Sequence, residues 1–526
     1  MLNGRNYCRY FRGHTMPLHT GLLITAFGLM LCAASPLLAH AAQPVTTKTD
    51  WTGIYMSGSK VGWASETTSP TTFNGKAAIK ETTRSVIKMT LLGTSVETDE
   101  SSVTISDLTH QPLTQTMNVS SNGSSIHLVA DYDYTQHKIV CHIGTGAEAT
   151  IKTVAIPPGA SLAGSVDFAV AGRKLTTGLT FDVYTLDPST ITLQKVHSEV
   201  VGREEILDEA GHKTPVFKTR ETLQVGDSTV WMDAAGNTLK AEMAFGPLKL
   251  VMTSESKAHA LNTSFVSPGA KSESTPGYTP SRDMAVATSV TTEKAIDDPR
   301  RLKELSAVLS GIPDKRLVLS DERQQERIIS GDTPPLKVDV HVSAEAITAS
   351  QALTLPITQP DMAKYLSRAA YLNTDSPALK QVALSVRGSE TNSYKVALAL
   401  RDWVHQNMTP DASIAVPRSA ADVFARKRGV CRDYATLYAA LARIAGIPTR
   451  LCAGVVYAEL SGKPAFYYHA WAECFVGKWV AIDPTLYDRT LGIDYTDATH
   501  IKFAQGEVTE MYDAVSVIGK LQIELK

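Results

Sequence analysis

The spacing of apolar positions changes character once along this chain. From Trp51 to about Ala260 the apolar residues come in short runs rich in β-branched side chains. Examples are Ser85-Val86-Ile87-Lys88-Met89-Thr90-Leu91, Ser102-Val103-Thr104-Ile105, Ile151 to Ile156 and Thr190-Ile191-Thr192-Leu193. Turn signals separate them: Asn74-Gly75, Asn122-Gly123, Pro157-Pro158-Gly159 and Ala235-Gly236-Asn237. Short strands with such breakers predict a large antiparallel all-β domain over 45–262, built as a sheet, sandwich or open barrel. Gly58 and Gly62 flank Lys60-Val61, but no helical pattern follows, so they read as a strand turn rather than a phosphate loop.

Residues 263–281 are rich in Ser, Thr, Pro and Gly and read as a linker. A β-rich connecting module is predicted over 282–350, with β-type runs at Met284–Thr292, Arg316–Leu319 and Leu336–Val342 and a helical patch at Arg300–Leu309. From about Gln359 the period becomes three to four. Helices are predicted over Asp361–Leu372, Ser376–Arg387 and Asn392–Met408, then from a cap at Ser419, then from Cys431 to a stop at Gly446-Ile447-Pro448. Strands are predicted over Leu451–Tyr457, Phe466–Val476 and Lys478–Ile482. Helices followed by antiparallel strands make 359–526 an α+β domain.

At 526 residues the chain is too long for one core. A formal net charge of −2 argues against nucleic acid as a partner, because phosphate binding needs a basic face. The first 49 residues lack Asp and Glu, carry Arg5, Arg9 and Arg12, and continue into an apolar stretch ending at Ala39-His40-Ala41. This is the pattern of a secretory signal peptide over 1–41, so the chain is read as exported, periplasmic or extracellular. Leu31 before Cys32 is too bulky for a lipoprotein signal, and no later stretch is long and apolar enough to span a bilayer. Loss of the leader leaves Cys141, Cys431, Cys452 and Cys474, too few for a disulfide scaffold. Cys452 and Cys474 fall on neighbouring predicted strands and are expected to stay unpaired.

The candidate chemistry lies in the α+β region. Cys431 opens a helix, where unsatisfied N–H groups and the helix dipole favour a thiolate. The dipole is worth up to about 2 kcal/mol and a pKa unit about 1.4 kcal/mol, so a further cation is needed to ionise the thiol. His469 lies on the next-but-one predicted strand, sharing a face with Tyr467, Trp471 and Glu473. If the last two strands form a hairpin around Gly477, Asp483 falls beside His469. Cysteine, imidazole and carboxylate are the parts of a thiol nucleophile. His500, in Thr499-His500-Ile501, reads as a structural histidine.

Four blocks strongly resemble the transglutaminase-like superfamily, whose core is similar to that of papain-like cysteine proteases. They are Gly429-Val430-Cys431-Arg432-Asp433-Tyr434-Ala435, Ala445-Gly446-Ile447-Pro448-Thr449-Arg450, His469-Ala470-Trp471-Ala472-Glu473 and Trp479-Val480-Ala481-Ile482-Asp483-Pro484-Thr485. The resemblance covers about Asp361 to Ser516 and implies Cys431 as nucleophile, His469 as general base and acid, and Asp483 as the residue orienting it. It implies no cofactor and no metal. Animal transglutaminases have a Trp directly after the nucleophile, whereas Arg432 stands here. The nearest upstream Trp, Trp403, reads as a core residue, and the region has no acidic cluster of the kind that holds calcium. The expected activity is therefore thioester formation at Cys431 from a protein, peptide or small amide, followed by hydrolysis. Amine transfer and a non-catalytic binding role are the alternatives.

Overall fold

A computed structural model describes residues 46–526 except 92–93, 145–148, 164–173, 188–189, 209–210, 224–225, 246–247, 263–282, 345–346 and 461. The expected leader with Cys8 and Cys32, and the whole of the expected linker 263–281, lie outside the described residues. The chain divides into two compact units, the second running from Met284 to Lys526.

The first unit is one antiparallel sheet of 14 strands, from β1 (Lys48–Met56) to β14 (Leu248–Glu255). Strands follow one another from β1 to β8 (Thr150–Ala155) and from β9 (Thr180–Asp187) to β14, and β1 pairs with β14. Leu162, in the segment after β8, forms a single parallel bridge to Tyr184 of β9. Asn74-Gly75 and Asn122-Gly123 both have positive φ at each residue, the geometry two-residue hairpins require. Ser57-Gly58 does the same between β1 and β2 (Ser59–Phe73), which disposes of the phosphate-loop alternative there. The inward face is unusually polar: Glu66, Glu81, Ser102, Thr104, Thr219 and Glu221 are all buried. Burial pushes the carboxyls of Glu81 and Glu221 up to about 7, so the fold holds them largely protonated below neutral pH.

The second unit combines helices with two four-stranded sheets. A small helix α1 (Lys257–Leu261) closes the first unit and α2 (Met284–Thr288) opens the second. One sheet has the order β16 (Gln324–Ile328), β17 (Leu336–Ser343), β15 (Glu304–Ile312), β24 (Gln522–Leu525). The sheet of the connecting region is thus completed by a strand from the far end of the chain. The other has the order β22 (Trp479–Ile482), β21 (Lys463–Phe475), β20 (Thr449–Leu460), β23 (Ile501–Gly506). Helices α3 (Pro377–Arg387), α4 (Ser393–Asn407), α5 (Ala420–Arg426) and α6 (Cys431–Ile444) precede it. Residues 431–443 of α6 are buried on every side, so it is the central helix of the unit. Gly446, at φ 91°, ends it in a conformation that side chains resist.

Several local expectations are corrected. Arg300–Leu309 is not helical: Leu305, Ala307, Leu309 and Ile312 are buried at strand spacing in β15. Met284–Thr292 begins as helix α2, whose Thr288 hydroxyl donates to the Met284 carbonyl, and only Val290 bridges to Phe466. Arg316–Leu319 is entered by a 3₁₀ turn capped by Asp314. Asp361–Leu372 forms only a 3₁₀ helix over Pro360–Tyr365, closed by the Leu366 N–H donating to the Ala363 carbonyl three residues back.

Candidate active site

The site begins with the turn before α6. Asp433 accepts the backbone N–H of Val430 at 3.0 Å, fixing the helix start. Its carboxylate is also paired with Arg418 at 2.9 Å and Arg432 at 3.3 Å, all three buried. A Cβ at Gly429 would lie 2.5 Å from Asp433 Oδ2 and 2.7 Å from Arg418 Nη2, which explains why glycine stands there. Arg432 also donates to the carbonyls of Ala415 and Val416. The side chain after the cysteine therefore ties down a loop. Trp403 is half-buried and stacks on Phe424, its centroid 6.2 Å away.

Cys431 is thus the first residue of α6, and its thiol meets the backbone N–H of Ala470, the neighbour of His469 on β21. The expected hairpin forms, with Ala472 opposite Ile482 and Phe475 opposite Trp479. Asp483 follows directly on β22. Its Oδ2 lies 2.9 Å from His469 Nε2, and its Oδ1 accepts the Thr485 N–H at 2.8 Å. His469 Nδ1 is buried and has no hydrogen-bond partner. His469 and Asp483 are therefore brought together, and the thiol sits one residue away along the same strand.

The structure adds a fourth group. His500 Nε2 lies 3.1 Å from the same Asp483 oxygen, and its ring meets Trp471 edge-on at 5.2 Å and His469 at 5.6 Å. From the sequence His500 reads as a structural histidine, with a place lining the cleft as the alternative. It precedes β23 in a loop without periodicity, and its position depends on contacts with residues far upstream. Arg323 donates to the carbonyls of His500 (2.8 Å) and Asp497 (2.7 Å), and Arg300 pairs with Asp497 at 2.9 Å. Gly454 sits opposite His469 in the β20–β21 register, and a Cβ there would fall 1.9 Å from the Ile501 carbonyl oxygen. This glycine allows the His500 loop to close on the site.

Electrostatics correct the expectation of a resting thiolate. Burial pushes the Cys431 thiol up to about 12, against the help of the Ala470 N–H, and Asp483 pushes the same way. Burial likewise lowers His469, although Asp483 opposes it. For Asp483 burial works toward the neutral acid, but His469 and His500 outweigh it and hold the carboxyl well below its usual range. At rest the thiol and His469 are neutral and Asp483 is ionised. Cys431, His469 and His500 are each at most 2% exposed, so the site is closed to solvent.

The three atoms His469 Nε2, Asp483 Oδ2 and His500 Nε2 lie close enough to chelate an ion, but both imidazole nitrogens are already engaged with the carboxylate. Cys474 contacts the hydroxyls of Tyr438 and Thr449, whereas Cys452 lies opposite Trp471, and both thiols are free. Among the described residues no helix is long and apolar enough to cross a membrane.

Residues 380–484 match the transglutaminase-like superfamily, and residues 50–253 match a family described as a protein of unknown function (DUF3108). No curated protein matches the chain. Three solved structures are similar to parts of it. A candidate cysteine protease from Cytophaga hutchinsonii is 22% identical, with 42% of this chain and 81% of that one covered and a TM-score of 0.28. The periplasmic domain of TgpA from Pseudomonas aeruginosa is 21% identical, covering 38% and 75% at a TM-score of 0.25. A β-barrel-like protein of domain of unknown function DUF1849 from Brucella abortus is 11% identical, covering 40% and 97% at a TM-score of 0.31.

Proposed function

We propose, from the premise that residues 380–484 belong to the transglutaminase-like superfamily, that the second unit is a thiol hydrolase acting on an amide or peptide. The observation that carries this reading is the state of His469: Asp483 holds Nε2 at 2.9 Å, buried Nδ1 is left without a hydrogen-bond partner among the described residues, and the helix-start thiol of Cys431 meets the backbone N–H of the next residue, Ala470. A neutral imidazole tied at one nitrogen presents a lone pair at the other, as a general base requires.

Because burial keeps the thiol protonated, deprotonation accompanies attack rather than preceding it. His469 Nδ1 takes the proton as Sγ bonds to the carbonyl carbon, and Asp483 stabilises the imidazolium formed. The N–H groups at the start of α6 face the developing oxyanion. The C–N bond then breaks, and His469 returns the proton to the departing amine, leaving a thioester on Cys431. Water, deprotonated by the same imidazole, releases the acid and restores the thiol. The closed site must open to admit substrate, and its dry interior strengthens the Asp483–His469 pairing once closed. The leader pattern supports an exported protein, so the substrate is read as an extracytoplasmic protein, peptide or small amide.

Acylation with p-nitrophenyl acetate tests this. Acid-quenched intact mass spectrometry is expected to find an acetyl group on Cys431 that water removes, and none on a folded Cys431→Ala protein. Absence of the adduct on the folded wild-type chain overturns the thiol-enzyme reading. Transfer of the acetyl group to an added amine faster than to water would replace hydrolysis by amine transfer.

A further inference from the structure

We propose that His500 is a positioning residue of this site: protonated on both ring nitrogens, it fixes the Asp483 oxygen that His469 also uses and keeps His469 neutral. The consequence for catalysis rests on the thiol-enzyme reading above; the protonation states rest on hydrogen-bond geometry.

Every polar group within reach of the His500 ring is an acceptor. Nε2 faces Asp483 Oδ2 at 3.1 Å, and Nδ1 faces the Asp497 carbonyl at 3.2 Å and Asp497 Oδ1 at 3.4 Å. A neutral tautomer would set one nitrogen lone pair against oxygen lone pairs in a buried place, which is unfavourable. Protons assigned from this network therefore go on both nitrogens. His469 differs. Its Nε2 donates to Asp483, and a proton on Nδ1 would be a buried donor with no acceptor. Two histidines on one carboxylate oxygen thus hold different charge states, set by their second nitrogens.

The surrounding charges alternate in sign. Arg300 pairs with Asp497 at 2.9 Å, Asp497 faces His500, His500 faces Asp483, and Asp483 faces His469. Arg323 holds the loop backbone on both sides of this exchange, at the His500 and Asp497 carbonyls. The directions of titration agree. Burial opposes charge on His500, but Asp497 and Asp483 outweigh it and raise its pKa. Burial and the charge of His500 both lower His469. His500 therefore partly offsets the field of Asp483 at His469, holding the base unprotonated at rest, and it anchors the carboxylate by a second bond.

The test uses the full chain with ¹⁵N-labelled histidine. In the wild-type protein at pH 7, His500 is expected to give the ¹⁵N signature of a doubly protonated ring and His469 that of the neutral Nε2–H tautomer. A neutral His500 overturns the proposal. These spectra need no variant, so a substitution that fails to fold leaves the test intact. His500→Gln, which keeps an N–H donor but removes the charge, is expected to make imidazolium easier to form at His469. The acid limb of the pH profile for Cys431 acetylation, where His469 must lose its proton to act as base, should then move up by about one pH unit. A lower rate with an unmoved acid limb would reduce His500 to a structural role and sink the inference. No acetylation of wild-type Cys431 would fail the thiol-enzyme reading instead, while the ¹⁵N spectra would still decide the charge of His500.

Discussion

Asp483 is the residue on which most of the site converges, since one of its oxygens serves two histidines and the other the Thr485 N–H. Asp483→Asn keeps the size but offers one acceptor oxygen where the carboxylate offers two. If the amide oxygen keeps the Thr485 N–H, both histidines face the amide N–H₂, and His469 can turn its lone pair to the wrong side. A wrong tautomer of this kind costs about 10²–10⁴-fold in rate. Acetylation of Cys431 in D483N is expected to fall in that range with the fold retained; a rate within a few-fold of wild type would remove Asp483 from the machinery. Cys431, His469 and Asp483 were legible in the sequence because each sits at a definite point of a strong local pattern. Those points are the first residue after a glycine-led helix start, an alternating position on a strand, and the residue ending the next strand. The Asp433 cap and the Gly429 contact show why the first of these patterns has its form. His500 was not legible as a member of the site, because its loop has no period and its position is decided by Arg300 and Arg323, far away in sequence. The state of the thiol was only half legible: a helix start alone is too weak to ionise it, but the burial that keeps it protonated is a property of the whole unit.

Among the elements, β23 and the loop before it decide whether the fourth group reaches the site. The pairing of β20 with β23 shifts register between Ala453 and Gly454, at the place where a side chain would collide with the Ile501 carbonyl. Gly454→Ala must push β23 outward, carrying His500 with it. Overpacking of this kind costs about 1–3 kcal/mol. The expected result is a lower melting temperature together with an acetylation rate reduced more than tenfold, as for other losses of positioning. An unchanged rate would mean that the loop does not need its close approach. Strands of the second unit were legible where alternation was clean, as in Leu336–Val342, and where a continuous apolar and aromatic run implied burial on both faces, as in Phe466–Val476. Short elements were not: Pro360–Tyr365 stays a 3₁₀ helix where the apolar spacing favours a longer α-helix, and Met284–Thr288 is a five-residue helix where β-branched residues suggest a strand. In Glu304–Ile312 helical and strand spacing compete within one short window, and the neighbouring strands β17 and β24 decide the outcome.

Across the whole molecule the two units should part company only in strong acid. In the first, Glu81 and Glu221 have carboxyls raised to about 7, against 4.5 when unfolded. A carboxyl raised on folding stabilises fully below its unfolded value and loses that contribution as pH rises through its folded value. At about 1.4 kcal/mol per pH unit, each group accounts for about 3 kcal/mol between pH 4.5 and 7. In the second unit Glu473 behaves oppositely. Burial would raise it, but Lys502 at 2.7 Å and Arg450 at 2.6 Å hold it down to about 2. Its contribution is complete above pH 4.5 and is lost as pH falls toward 2. Calorimetry of the full chain should therefore resolve two transitions. As pH is lowered from 8 to 5 both transitions should rise, the second because burial raises the Glu326 carboxyl to about 8; below 4.5 the second should fall as Glu473 takes up its proton. Glu221→Gln keeps an acceptor for the Ser228 hydroxyl, which now bonds the carboxylate at 3.1 Å, but removes the ionisation. It should raise the first transition at pH 8 and flatten its rise on acidification, leaving the second transition in place. Parallel curves for Glu221→Gln and wild type from pH 5 to 8 would mean that the buried carboxyl is not protonated on folding. The polar inward face would then have to hold an ionised Glu221 by contacts other than the Ser228 hydroxyl.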